Sequence, residues 1–256
     1  MSRYDVEKMK DSKSTISISL VLPVFNEAAI IDKSVRTIAE FLDRTYGSLR
    51  WELIVADNKS TDGTYQKALA TIRSLGDSRI RAIYVKRRGV GAALRSGWSQ
   101  STGDVLAYVD ADLPFRLSGL RAVIDTAMLG PDVVIGSRYA PGGEYETTRL
   151  RRFLSRSWIH WLNLLFACEV TDNCGIRSIK RSAFLKLLPS FWSEGWFFGA
   201  ELIVLARRAS LRLVEVPVQC VNNRSRPSSV RLFSTILGFL RLSLTLRIHI
   251  SAGSDQ

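Results

Sequence analysis

The sequence predicts an α/β fold built on a doubly wound, mostly parallel sheet. Apolar runs of strand length alternate with stretches of helical period, the runs are continuous rather than one-sided, and two of them end in an acid. Taken in order, residues 16–23 form a first strand closed by Pro23, and Asn26-Glu27 opens a helix over residues 30–42. Residues 51–57 make a second strand ending in Asp57, and Ser60-Thr61-Asp62-Gly63-Thr64 supplies turn and cap chemistry for a helix to about Leu75. Strand three covers residues 80–85, and a helix opens at Gly89-Val90-Gly91. Strand four, from Val105, runs into Asp110-Ala111-Asp112; residues 118–129 are helical and 133–137 a fifth strand.

Beyond residue 137 the rhythm changes. An arginine-rich loop over 138–156 leads to an aromatic helix over 158–167, a strand over 174–179, helices near 182–188 and 200–209, and a strand over 213–219. No proline- or glycine-rich linker separates the halves. The expected organisation is a polar tail over 1–15, one domain over 16–221 with a specialised second half, and a basic amphipathic segment over 222–256. That last segment reads two ways. Residues 232–240 have helical spacing, whereas Leu240, Leu242, Leu244, Leu246, Ile248 and Ile250 alternate as in a strand. Its arginines, Arg224, Arg226, Arg231, Arg241 and Arg247, suit an element lying in a membrane interface; an amphipathic element packed on the core fits equally.

Composition narrows the function classes. The 256 residues are 46% hydrophobic, enough for a sizeable core, and the formal net charge is +12, which favours anionic partners. Three cysteines without a CxxC pair suggest neither a disulfide framework nor a zinc site. The first 14 residues lack a signal-peptide core, and no run of about 18 uncharged apolar residues occurs. The expected location is peripheral, at the cytoplasmic face of a membrane, with no transmembrane span.

The glycines at 89 and 91 lack both the third Rossmann glycine and a Gly-Lys-Ser/Thr, and there is no Gly-x-Ser-x-Gly elbow. The acid pair is more informative. Ligands of open α/β sheets bind at the carboxyl ends of the strands, and two carboxylates one residue apart repel unless a cation joins them. Hard oxygen donors suit Mg²⁺ or Mn²⁺ carrying phosphates; a turn cap at Asp110 beside a solvated Asp112 is the plainer reading. With Asp57 ending a second strand, one carboxylate can accept from a base N–H while the pair holds a diphosphate through metal. That describes a sugar-nucleotide site.

Four further stretches then carry a resemblance. Leu22-Pro23-Val24-Phe25-Asn26-Glu27, Asp57 to Thr64, Gly91 to Gly97 and Asp110 to Leu113 resemble the successive motifs of GT-A family 2 glycosyltransferases. Gly136-Ser137-Arg138-Tyr139, the Arg151-Arg152 to Arg156 stretch, Asp172-Asn173-Cys174-Gly175-Ile176-Arg177, Trp196 to Leu202 and Glu215 to Val218 resemble its polyprenyl-phosphate branch, that of dolichyl-phosphate mannose and glucose synthases. The resemblance runs in order from about Ile16 to Arg231.

What it implies is a GT-A fold, Rossmann-like, with an acceptor-side second half. The implied activity is inverting transfer of one sugar from a nucleotide diphosphate sugar to a polyprenyl monophosphate, a UDP-sugar being favoured and GDP-mannose remaining open. It implies that Pro23, Asn26, Glu27, Asp57, Arg95 and Asp110 bind the nucleotide sugar and that Asp110 and Asp112 hold Mg²⁺ or Mn²⁺. Asp112, Arg138, Arg152 and Asp172 are the implied catalytic set, with Asp172 either orienting a partner, taking a proton or capping a turn. Implied partners are the sugar nucleotide, the lipid phosphate and an anionic membrane surface. Five positions depart from the pattern: Asn58, Lys59, Val90, Pro114 and Gly199. A polysaccharide acceptor and a basic nucleic-acid-binding protein are the rival readings. The first lacks a late Gln-x-x-Arg-Trp stretch; the second lacks aromatics interleaved with basic residues.

Overall fold

The computed structural model describes residues 16–220 and 232–252. The expected tail over 1–15, and Arg224, Arg226 and Arg231 of the basic segment, lie outside the described residues. Nine strands and eight helices are described: β1 (Ser17–Val24), α1 (Ile31–Tyr46), β2 (Arg50–Asp57), α2 (Thr64–Leu75), β3 (Ile80–Tyr84), α3 (Val90–Ser99), β4 (Val105–Val109), α4 (Leu117–Met128), β5 (Val133–Ser137), β6 (Glu144–Tyr145), α5 (Arg149–Phe166), β7 (Ile176–Lys180), α6 (Arg181–Leu187), α7 (Phe198–Arg208), β8 (Leu213–Pro217), β9 (Gln219–Cys220) and α8 (Leu232–Ala252).

Seven strands form one sheet in the order β3-β2-β1-β4-β7-β5-β8. All neighbouring pairs are parallel except those of β7, which runs antiparallel to both β4 and β5. Alternate residues of each buried strand feed opposite faces, which is why the runs read as continuously apolar. Leu20, Leu22, Leu53 and Val55 meet Ile31, Val35 and Ile38 of α1 and Leu120 and Ile124 of α4 on one face. Val21, Ile54, Leu106 and Tyr108 meet Leu94 and Trp98 of α3, Phe184 of α6 and Leu202 of α7 on the other.

The strand ends are level. Val24 pairs with Asp57 and Val21 with Tyr108, so Asp110, one residue past β4, lies beside the end of β1. Because β7 is reversed, it starts where β4 stops: Ile176 pairs with Val109, which brings the 173–175 turn next to Asp110. A second, two-stranded sheet joins β6 to β9 and clips the 138–145 loop to the chain after β8.

Two expectations change. The arginine-rich stretch is helical from Arg149, nine residues earlier than its aromatic pattern suggested, because the Thr148 side chain accepts from the Arg151 N–H and caps the helix. The final segment is a helix and not a strand. Phe239, Ser243 and Leu246 recur at helical spacing on its inner face; the Trp158 ring of α5 lies tilted against Phe239 at 4.9 Å, and the Trp161 Nε1–H donates to Ser243 Oγ at 3.0 Å. The other leucines of the alternating pattern include Leu244, which faces outward.

Candidate active site

On the β1–β2 side the side chains are set by contacts between two neighbouring loops. Asn26, at φ 55°, receives the Thr61 N–H on Oδ1 at 2.8 Å and gives its own N–H to Ser60 Oγ at 2.9 Å. The Glu27 N–H goes to Thr64 Oγ1 at 2.8 Å. Pro23 is buried in β1. Asp57 is fully buried; its Oδ1 accepts from the Ser60 N–H at 3.0 Å, and its Oδ2 has no hydrogen-bond partner among the described residues. A buried carboxylate oxygen without a donor is costly, so this atom fits an N–H brought by a ligand.

Three departures from the family pattern gain a local account here. Asn58 receives the Gly89 N–H on Oδ1 at 2.7 Å and so ties the second loop to the glycine turn before α3. Lys59 sits at φ 61°, the left-handed conformation that favours glycine. Val90 merely begins α3, whose Ala92 N–H is capped by the Glu194 carbonyl at 3.0 Å. The helix start is thereby closed by the chain itself.

Arg95 does not point its polar end into solvent. Its Nη1 donates to the Phe191 carbonyl at 2.9 Å, and Glu194, which also pairs with Arg87 at 2.8 Å, lies 3.9 Å away. These contacts anchor the 191–197 loop.

Asp110 and Asp112 follow β4 in a tight turn closed by the Leu113 N–H on the Asp110 carbonyl at 3.0 Å, with Leu113 at φ 46°. Asp112 is exposed. The Asp110 carboxyl is pushed up to about 7, first by burial and then by the charge of Asp112, with Arg177 and Arg138 opposing. This carboxylate pair therefore calls for a cation. Among the described residues no group of three or more His, Cys, Asp or Glu side chains could hold a metal, so the described residues offer this turn no third such ligand. A hard divalent ion fits, with phosphate and water oxygens filling its shell, and Pro114 supplies no further donor.

Opposite, Arg138 follows β5 and meets Asp172 head-on. Its Nε and Nη2 donate to the two carboxylate oxygens at 2.8 and 2.7 Å, and its backbone N–H adds a third bond at 2.8 Å. Asp172 is fully buried and also accepts from the Asn173 N–H at 2.7 Å. Burial opposes the charge of Arg138, yet the hydrogen bonds and charge of Asp172 hold its pKa above the ordinary guanidinium range. The guanidinium lies 4.2 Å over the Tyr145 ring; Arg156 lies 5.1 Å over Tyr139, and Arg152 gives Nη2–H to the Tyr145 carbonyl at 2.8 Å. The fork of Arg138 is thus occupied by Asp172, leaving Nη1 outside the pair.

Residues absent from the sequence-based set complete this side. Glu215 of β8 accepts from the Thr171 and Asp172 N–H groups and from Thr171 Oγ1 at 2.9–3.0 Å, fixing the turn that carries Asp172. Glu201 of α7, also fully buried, holds the 191–197 loop by accepting from the Trp192 and Ser193 N–H groups at 2.9 and 3.1 Å. Burial pushes the Glu201 carboxyl up to about 7, against those two bonds and Arg95. In the sequence it stood within the Trp196 to Leu202 stretch, as an acid on an otherwise apolar helix. The loop and α8 enclose an open apolar groove of about 320 Å³, lined by Trp192, Trp196, Phe197, Phe239 and Leu242 among others.

Comparison with known proteins follows the same lines. The family model described as glycosyl transferase family 2 matches residues 19–188. Glycosyltransferase AglD of Haloferax volcanii is 32% identical over 206 residues, covering 79% of this chain and 33% of that protein. A dolichyl-phosphate beta-glucosyltransferase of Saccharomyces cerevisiae is 31% identical over 224 residues, covering 79% of this chain and 66% of that protein. The chain therefore spans about a third of the one and just under two thirds of the other. In fold it is similar to glucosyl-3-phosphoglycerate synthase from Mycobacterium tuberculosis, solved with Mn²⁺ and UDP-glucose. The TM-score is 0.68 at 21% identity, over 94% of this chain and 82% of that one.

Proposed function

Because this chain belongs to glycosyl transferase family 2, we propose that it transfers one sugar, with inversion, from a nucleotide diphosphate sugar to a polyprenyl monophosphate. The observation that carries the reading is the alignment of three strand ends: Asp57 closing β2 with a buried oxygen that has no donor among the described residues, Asp110 after β4, and the Arg138–Asp172 pair after β5. A base N–H satisfies the first and a metal-borne diphosphate the second, with the developing negative charge facing the third. A relative named as a dolichyl-phosphate beta-glucosyltransferase supports the lipid phosphate as acceptor, and a structural neighbour solved with UDP-glucose supports a UDP-sugar as donor.

Asp57 and the Asn26–Thr61 clasp hold the nucleoside end, and Asp110 with Asp112 would hold Mg²⁺ or Mn²⁺. When bound, that ion supplies charge neutralisation of the leaving diphosphate. Arg138 adds a preorganised positive charge that needs no reorganisation during the reaction. A phosphate oxygen of the lipid attacks the anomeric carbon as the bond to the diphosphate oxygen breaks. A phosphate monoester is largely dianionic near neutral pH, so no general base is required. Asp172 has four donors on its two oxygens, which suits it to orienting Arg138 and not to taking a proton.

The acceptor needs an apolar path and an anchored phosphate. The aromatic groove offers the first, and the Arg138, Arg152 and Arg156 cluster around Tyr139 and Tyr145 the second. Leu150, Phe153 and Leu164 of α5 and Ile248 of α8 are each more than half exposed, with Arg149, Arg152, Arg156, Arg241 and Arg247 exposed among them. That mixture fits docking on an anionic, cytoplasmic membrane leaflet. No described helix is long and apolar enough to cross a membrane.

The test is incubation with polyprenyl phosphate and a panel of labelled UDP- and GDP-sugars, with and without EDTA, scoring label extracted into organic solvent. Label from a UDP-sugar, abolished by EDTA, is expected. No labelled lipid from any donor would overturn the proposal.

A further inference from the structure

Arg177 is the second residue of β7, paired in register with Tyr108 of β4 and Ile135 of β5, and is 1% exposed. Among the described residues it forms no ion pair. Its Nη1 donates to the Gly199 carbonyl at 2.8 Å, its Nη2 donates to Asn173 Oδ1 at 3.0 Å and to the Cys174 carbonyl at 2.6 Å, and its Nε has no partner. Its hydrogen-bond acceptors are all neutral, and its charge is met only at longer range, by Asp110 and by the Tyr108 ring 5.6 Å away; an apolar side chain of similar volume would serve core stability better. Its placement has another return.

The three acceptors belong to two separate structures. Asn173 and Cys174 form the turn beside Asp110, and Gly175 of that turn is packed so closely on the Asp110 carboxylate that no Cβ fits. Gly199 is the second residue of α7, two positions before the Glu201 that holds the 191–197 loop over the groove. Gly199 is matched to Arg177: a Cβ there would stand 2.8 Å from Arg177 Nη2 and 2.8 Å from Asn173 Oδ1. The physical path thus runs from Asp110 through the turn, the guanidinium and the head of α7 to Trp192 and the groove.

We infer that Arg177 is a positioning residue that ties the acid-bearing end of β4 to the loop forming the acceptor groove, with Gly199 as its obligatory counterpart. This rests on reading the acids and the groove as two sides of one transfer site. Lysine keeps the charge but cannot reach three acceptors in one plane, so it separates the geometric role from the electrostatic one.

The experiment uses the full chain as Arg177→Lys, Gly199→Ala and the double variant. Steady-state transfer is measured with labelled UDP-sugar and polyprenyl phosphate, Mn²⁺-UDP binding by calorimetry, and amide hydrogen exchange across residues 191–199. Each single variant is expected to raise the acceptor KM about tenfold, leave donor KM and Mn²⁺-UDP affinity within about twofold, and speed exchange in 191–199 about tenfold, while β1 and β2 exchange as before. The double variant is expected to lose much less than the product of the singles, since both break one junction. Loss of kcat with both KM values unchanged would assign Arg177 to bulk stability alone and overturn the inference, as would additive singles. If the wild type binds Mn²⁺-UDP but labels no lipid, the acceptor reading fails; exchange in 191–199 still decides the role of Arg177, and unchanged exchange would refute it.

Discussion

Around β1 and β2 the site is held by contacts between two adjacent loops: Asn26 with Thr61, Glu27 with Thr64, Asp57 with Ser60. Around β7, β5 and β8 it is held by side chains reaching across the fold: Arg138 to Asp172, Glu215 to Thr171, Arg177 to Gly199, Glu201 to Trp192. The first region uses mostly hydroxyl and amide contacts near the surface, with Asp57 as its buried acid. The second buries three charged groups, Asp172, Arg177 and Glu201, and meets their desolvation with hydrogen bonds. On the proposed reading, the nucleotide side can be assembled from short motifs, whereas the side that would align a phosphate, a groove and the acid-bearing turn has to be braced from several strands at once.

The contrast predicts different failures on the two sides. Asp110→Asn removes a carboxylate that is itself uncomfortable, so it is expected to leave the melting temperature of the metal-free protein unchanged or higher while cutting transfer about 10³-fold, roughly 4 kcal/mol in the barrier. Parallel melting curves and rate measurements check this; equal activity to wild type would remove Asp110 from the metal site. Asp172→Ala does the opposite. It strands Arg138 without its partner and is expected to destabilise by about 3 kcal/mol, together with loss of activity, as read by denaturant unfolding. A stable but inactive variant would show that the pair is not the brace described here.

Glu201 gives the brace a pH signature. Its folded value of about 7 lies above the ordinary glutamate value of 4.5, so the native protein keeps a proton that the unfolded chain has released between those limits. This contribution is fully present below about pH 4.5, falls as pH rises, and is gone above about 7, on the order of 2 kcal/mol in all. Glu201→Gln, which retains an acceptor for the Trp192 N–H, is expected to flatten that part of the stability–pH profile. An unchanged slope would contradict the assignment.

The smallest effect lies on the surface. Arg241→Ala and Arg247→Ala are each expected to weaken binding to anionic vesicles by about 1 kcal/mol at low salt, roughly fivefold, with transfer to a detergent-dispersed acceptor unchanged. Co-sedimentation with vesicles of graded anionic content measures this. Binding that ignores both salt and substitution would remove α8 from the membrane contact.

The two regions also differ in how far residue patterns disclose them. Asp57, Asp110 and Asp112 were legible because each follows a continuous apolar run, and a buried parallel strand delivers its next residue to the ligand-binding edge. Arg138 and Asp172 were legible only by motif, and their pairing was not, since 34 residues separate them. Arg95 belonged to a motif yet its guanidinium serves the 191–197 loop. The alternating leucines of the last segment suggested a strand because spacing alone cannot show whether a sheet edge is available; Trp158 and Trp161 of α5 select the helix.

By itself the sequence determined the alternation of strands and helices, the acids at the strand ends and the basic, partly apolar surface. Those follow from local periodicity and from the rule that continuous apolar runs must be buried. Only the tertiary structure decided that β7 reverses between β4 and β5, setting a turn beside Asp110, and that Asp172, Glu215, Arg177 and Glu201 act as braces. A buried charge is tolerated or not according to the donors and acceptors folded around it, and those come from residues far away in the chain.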